Sequence, residues 1–316
     1  MGAVVVAGLA ALPLWLRAPS SPAGLCDALA RRRVVTVYAS PDAHVRCEGV
    51  REVSLPEALV RGLEHETPGP VIDFLRSHKG SALAIAPAGE PRGVGAKLAA
   101  LAHVPELPAL ALAPELAVYA PSRDPSLSDA ERDALAYVAR ALFRGAREPD
   151  VASFPPPLRR VERVEVMVTL SKGGDPRLWR SARGTSVARA LLTATRVARD
   201  RWREREQAMG GPLIAQLASL DVEVALLAED GTLLSAQNTF VDRAITPAHG
   251  VGFDRRTAWH YVLPAEVQRR KGGAAALAGQ LSDLGLPAAV LGESDTRLYR
   301  FVQTPLGVSR APSAAR

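Results

Sequence analysis

Residues Val164–Leu170 read VEVMVTL. Val164, Val166, Val168 and Leu170 recur at every second position, which places them on one face of a pleated strand. The same period returns at Val222, Val224 and Leu226. It returns again in AWHYV, where Trp259 and Tyr261 share one face and His260 and Val262 the other, and in TRLYRFVQT, where Tyr299 and Phe301 share a side. A strand with one apolar face is stable only when that face is covered. The cover is also visible. SLSDAERDALAYVARALFRG carries Leu135, Val138 and Leu142 at helical spacing, with Ser128 and Glu131 as a capping box and Gly145 as a stop. TSVARALLTATRVARDRW lines up Val187, Ala190, Leu191, Ala194 and Ala198, with Arg189, Arg196, Arg199 and Arg203 off that stripe. Helices and half-buried strands therefore share one core beyond residue 126.

Connections follow from turn chemistry. Asp230-Gly231 predicts a tight hairpin turn, and GVGFDRRTAWHYVL reads as a second hairpin. Pro264 suits the first turn of a helix, where its missing N–H is not needed. AAALAGQLSDLG is a short helix ended by Gly285.

The region before residue 121 is organised differently. Strands are expected at about Val34–Ala39, at SALAIAP and twice in ALALAPELAVYA. Helices are expected in SLPEALVRGL (capping box Ser54 and Glu57), PVIDFLRSHKG and GVGAKLAALAHV. GVGAK lacks the G-K-[ST] ending of a phosphate loop, so its glycines read as a helix start. APSRDPSLSD marks a linker. The expected organisation is an apolar segment at 1–23, a small α/β domain at 24–120, a linker at 121–128, a second domain at 126–308 and a disordered tail at 309–316. The fold class is α+β (mixed α/β), with a mixed-sheet C-terminal domain behind the smaller one.

Charge suggests a nucleic-acid binder and then weakens the suggestion. The net charge is +6, but 35 of the 39 basic residues are Arg, the mark of a GC-rich coding bias. Arg159–Arg205 holds 13 Lys or Arg against five Asp or Glu, enough to attract a polyanion. Only Trp179 and Trp202 interleave, which gives bases little to stack on. Nucleic acid is therefore the weakest of the partner classes. Ala3–Leu16 is an apolar run of 14, short for a span of roughly 20 residues. It fits a signal peptide core or an anchor, so export or membrane attachment is favoured slightly over the cytoplasm, with a mis-assigned start as the alternative. Cys26 and Cys47 either pair in an oxidising compartment or fill space as free thiols.

Several segments in order resemble the AMMECR-type domain family, named for the AMME chromosomal region. They are LSDAERDALAYVARALFRG leading through FPPPLRRVERVEVMVTL, then SVARALLTATRVARD, then LASLDVEVALL, then AHGVGF, LPAEV and RLYRF. Together they cover about residues 126–304. The resemblance implies a mixed-sheet domain with a cleft near His249 and Gly250, the family's His-Gly step, followed by Leu263, Pro264 and Val267. Relatives occur beside Memo-like and radical-SAM proteins, which implies modification or binding of some small molecule. The family's Leu-Arg-Gly-Cys-Ile-Gly turn corresponds here to RLWRSARGTS (Arg177–Ser186), which has no cysteine. That departure supports the alternative reading, a degenerate AMMECR-type domain in a non-enzymatic cell-envelope binding or scaffold protein, and whether the chain is an enzyme stays open.

The candidate catalytic residue is His249, and the candidate binding residues are Gly250, Arg180, Arg183, Glu223 and Tyr299. His249 either projects into the cleft or fixes its turn by bonding to backbone. Asp221 and Glu223 alternate on one strand face, as an acid–base pair or a solvated edge. A metal shared by His249 and His260 would need Asp242 or Asp254, but His260 belongs with Val262, so no metal is expected. No triad, P-loop or zinc-protease motif is present, and no cofactor is expected. The partner is an unidentified small molecule or protein.

Overall fold

The computed structural model describes residues 22–57, 59, 68–86, 107–121, 127–160, 164–172, 175–209, 220–256 and 258–310. The apolar segment before residue 22, the helix expected in GVGAKLAALAHV and half of the one in SLPEALVRGL lie outside the described residues. The chain divides into two compact units, Met1–Leu107 with Ala113–Pro121, and Pro108–Leu112 with Ser122–Arg316.

The first unit is a small α/β layer. Its helices are α1 (Leu25–Arg31) and α2 (Pro68–Ser77). Its strands are β1 (Thr36–Ala39), β2 (Arg51–Ser54), β3 (Ser81–Ile85) and β5 (Ala117–Tyr119). β1 lies between β2 and β3, parallel to both, and β5 is antiparallel on β3. The sheet centre is apolar, as the run SALAI predicts: all of Ser81–Ile85 is buried. The two cysteines pair, Cys26 on α1 with Cys47 in the loop before β2.

The second unit holds β4 (Ala109–Leu112), α3 (Asp129–Phe143), α4 (Pro156–Arg159), β6 (Val164–Lys172), β7 (Asp175–Gly184), α5 (Val187–Met209), β8 (Asp221–Leu233), α6 (Asn238–Ala244), β9 (His249–Arg255), β10 (Ala258–Val262), α7 (Pro264–Arg269), α8 (Gly273–Asp283) and β11 (Thr296–Ser309). β4 precedes the expected linker, yet it pairs in parallel with Thr232 and Leu233 of β8 and belongs here. β11 runs through Ser309, into the expected tail. Ser128 and Glu131 form the capping box of α3.

Two expectations fail for reasons of context. Asp230-Gly231 is no hairpin turn. β8 runs straight through it as one strand of 13 residues, because β11 pairs with both sides, and Asp230 and Gly231 together stand opposite Arg300, which makes the extra residue a bulge in β8. Gly231 supplies the positive φ of 118° that the bulge needs. RLWRSARGTS is not the turn that the resemblance implies either. Most of it is β7, paired with β6 from Val164↔Gly184 to Lys172↔Asp175. Its alternation is hidden by arginine, but Leu178 and Ala182 are buried as strand residues should be.

Adjacent strands in the order β7-β6-β8-β11-β9-β10 are all antiparallel, and β4 makes the sheet mixed. The outer face of β6 and β8 presents Val166, Val168, Leu170, Val222, Val224 and Leu226. These pack with Leu135, Ala139 and Leu142 of α3 and the alanine stripe of α5. Flat, a six-strand sheet at about 4.8 Å per step would hold β7 and β10 roughly 24 Å apart. Instead the Trp179 and Tyr261 rings stand 5.4 Å apart, and the Tyr261 hydroxyl bonds Ser181. The sheet therefore curls toward a barrel, with its second face inside. That interior is filled by Met167, Ala225, Leu227, Tyr299 and Phe301, with Trp179, Tyr261 and Leu263 against them.

Candidate functional site

Alternation sorts the candidates onto two faces. In β9, Gly250, Gly252 and Asp254 point into the curl, opposite Phe301, Tyr299 and Arg297 of β11. His249, Val251 and Phe253 point outward. Gly250 is required by close approach: a Cβ there would sit 2.2 Å from Cζ of Phe301, and one on Gly252 would sit 2.8 Å from Cζ of Tyr299. The two rings lie over the glycine backbone and fix the register of β9 on β11.

His249 does not project into the cleft. It is 4% exposed. The backbone N–H of Thr246 donates to Nδ1 at 3.2 Å, and the Thr246 hydroxyl bonds the same nitrogen at 2.7 Å. With Nδ1 accepting, the proton sits on Nε2 and is donated to Oδ2 of Asp230 at 2.7 Å. Asp230 also accepts from the Ala109 backbone N–H at 2.8 Å and pairs with Arg300 at 2.8 Å. Arg300 donates from Nε to the Asp230 carbonyl and from Nη1 to the Ala244 carbonyl. Every strong group in this buried cluster is engaged. It ties the β8 bulge to β4, β9, β11 and the end of α6, so His249 fixes its turn, as one of the two sequence readings held.

The inner face carries the other assembly. Arg183 of β7 donates from Nε to Glu165 at 3.0 Å, and from Nη2 to Asp254 at 2.7 Å and the Tyr299 hydroxyl at 3.0 Å. Arg297 donates to Glu229 at 2.6 Å and to Asp254 at 2.7 Å, and lies over the Tyr299 ring. Ser181 donates to Glu165 at 2.6 Å and accepts from Tyr261. Burial opposes the charge of Arg183, but Asp254, Tyr299 and Glu165 outweigh it and its pKa is raised. Burial likewise pushes the Asp254 carboxyl up, but Arg183 and Arg297 pull harder and hold it below the ordinary carboxylate value. Burial raises Tyr261 and Tyr299, so both are neutral phenols at physiological pH.

Of the expected residues, Arg183 and Tyr299 converge and Gly250 lies beneath their neighbours. Arg180 and Arg183 are three apart on a strand and leave opposite faces. The Arg180 guanidinium bonds the Trp179 carbonyl at 2.7 Å; burial, then Arg201 and Arg205 of α5, lower its pKa. Glu223 accepts from the Ser171 hydroxyl, six residues along β6 from Glu165, or about 20 Å. His260 points outward, its ring 5.0 Å from that of Phe253. Among the described residues no cluster of His, Cys, Asp or Glu is placed to hold a metal ion, and no helix is long and apolar enough to cross a membrane. Within Arg159–Arg205, Arg183, Arg196, Arg199 and Arg201 face carboxylates, which leaves less positive charge for a polyanion than the composition suggests.

Glu165, Trp259 and Arg297 were absent from the expected site, and Asp254 was weighed there only as a ligand of a metal that was not expected. Once RLWRSARGTS is recognised as a strand, the odd-numbered positions of β7 (Trp179, Ser181, Arg183) share a face with Glu165, and that signal was available.

No family model matches the chain, and no curated protein matches it. Among solved structures it is similar to the crystal structure of the uncharacterized protein PH0010 from Pyrococcus horikoshii. The identity is 19%, over 59% of this chain and 98% of that one, with a TM-score of 0.43.

His249→Ala strands the Thr246 N–H and removes a partner from Asp230, and should lower the unfolding free energy by about 2–4 kcal/mol. His249→Gln, which can still donate to Asp230, should recover roughly half of that loss in urea unfolding; equal stability of wild type and His249→Ala would refute the cluster's role. Asp254 has a depressed folded-state pKa, so its contribution is present above its unfolded pKa of about 3.9 and is lost as pH falls through the folded value. Melting curves taken below about pH 4 should therefore drop less steeply for Asp254→Asn than for wild type, from a lower plateau at neutral pH.

Proposed function

We propose that the second unit is an AMMECR-type domain that binds a ligand or partner without transforming it, and that the chain works in an oxidising compartment such as the cell envelope. The engagement of both ring nitrogens of His249 carries the first half of this reading. Proton transfer at the His-Gly step would need a free ring nitrogen facing the cleft, and modification chemistry loses its best candidate without one. The missing cysteine of the Arg177–Ser186 segment supports the same view. Binding is the part of the expectation that the geometry favours, and it moves to the inner face, where Arg183, Asp254, Arg297 and Tyr299 are fixed in place before any ligand arrives. The Cys26–Cys47 pairing supports the second half, since such bridges persist where thiols are not kept reduced.

The test uses the chain from its native host, alkylated before lysis. The expected result is that both cysteines resist alkylation until a reductant is added, and that incubation with a small-molecule extract of the host yields retained masses and no new product masses. Two alkylated thiols without reductant would contradict the compartment. A product formed by wild type and absent with His249→Gln would contradict the non-catalytic reading.

A further inference from the structure

Trp259 stands on β10 and points into the curl beside Asp254. It is 38% exposed, unlike the aromatic side chains deeper in the curl. The guanidinium carbon of Arg183 lies 5.0 Å from its ring centre, over one face. Because Arg183 is held by Glu165, Asp254 and Tyr299, it presets the indole's orientation. The ion network that holds Arg183 keeps polar atoms to spare. Among the described residues Nη1 of Arg183, Nε of Arg297 and Oε2 of Glu229 make no hydrogen bond, while every charged group of the cluster is ion-paired through its other atoms.

Resting on the reading of this domain as a binder, we infer that the Trp259 rim is a saccharide site. The charge balance argues for this class. An anion would have to compete with Glu165, Asp254 and Glu229 for the two arginines. A cation would approach a ring that already carries Arg183. A neutral polyhydroxyl ring breaks no ion pair. Its C–H face stacks on the indole, and its hydroxyls accept from the spare Arg183 N–H and donate to the spare carboxylate lone pairs of Asp254. Fixing the indole in advance removes the side-chain entropy that such weak stacking would otherwise have to overcome.

The experiment titrates the full chain by calorimetry with two neutral probes, the β-1,4 hexamers of glucose and of N-acetylglucosamine, and with a heparin fragment as the charged control. At least one neutral hexamer should bind, with an affinity that changes less than about twofold between about 50 mM and about 500 mM NaCl. Trp259→Ala should weaken binding about tenfold or more, and Trp259→Phe should stay within about threefold of wild type, both with unchanged far-UV spectra because the side chain is partly exposed. Heat from neither hexamer, equal binding by Trp259→Ala, or binding to heparin alone that salt abolishes would overturn the inference. The mass of the hexamer after incubation separates this proposal from the reading beneath it. A cleaved hexamer refutes the non-catalytic reading and leaves the platform standing; absence of binding refutes the ligand class alone.

Discussion

One guanidinium joins the first and last strands of a curled sheet. Arg183 leaves edge strand β7, crosses the interior and meets Asp254 on β9, the phenol of Tyr299 on β11 and the indole of Trp259 on β10. Among the described residues no backbone ladder closes the gap between β7 and β10, so side chains do it. The Ser181–Tyr261 bond and the Trp179–Tyr261 contact add to the closure, and Arg183 is anchored at both ends by carboxylates, Glu165 on the near side and Asp254 on the far side. A planar donor with five N–H groups can satisfy two carboxylates and a phenol at once, which a lysine could not match. Removing it would leave two carboxylates partly buried with fewer partners, a cost above that of an ordinary surface ion pair.

The outer face is organised by a different polar knot. Asp230, His249 and Arg300 hold a bulge that would otherwise expose unpaired backbone where β4 joins β8. The division of labour explains the twin demands on β9. Its odd positions serve the knot and the outer core, and its even positions are glycine, glycine and aspartate because two aromatic rings and an arginine occupy the space above them. Closure and the proposed binding rim then share one face, and the fixed charges that close the curl also shape that rim.

Period-two strands, capped helices and the β9–β10 hairpin were legible in the sequence, since each depends on residues close in the chain. Asp230-Gly231 misled because the same dipeptide serves a hairpin turn and a bulge, and only the distant partners Ala109, His249 and Arg300 choose between them. β7 was obscured because Arg180 and Arg183 look alike in composition yet stand on opposite faces. His249 illustrates the limit for sites: a histidine beside a glycine reads the same whether it faces solvent or an aspartate 19 positions earlier in the chain. The barrel-like curl was not legible at all, because it depends on contacts between strands far apart in both sequence and sheet order.

The closure of the curl is the claim on which the interior, the ion network and the rim all rest. Nuclear Overhauser spectra of the isotopically labelled chain address it directly. The account predicts cross-peaks between the ring protons of Trp179 and Tyr261, whose centroids lie 5.4 Å apart. Resolved signals for both rings with no cross-peak between them would mean that the sheet is open, and would contradict the account.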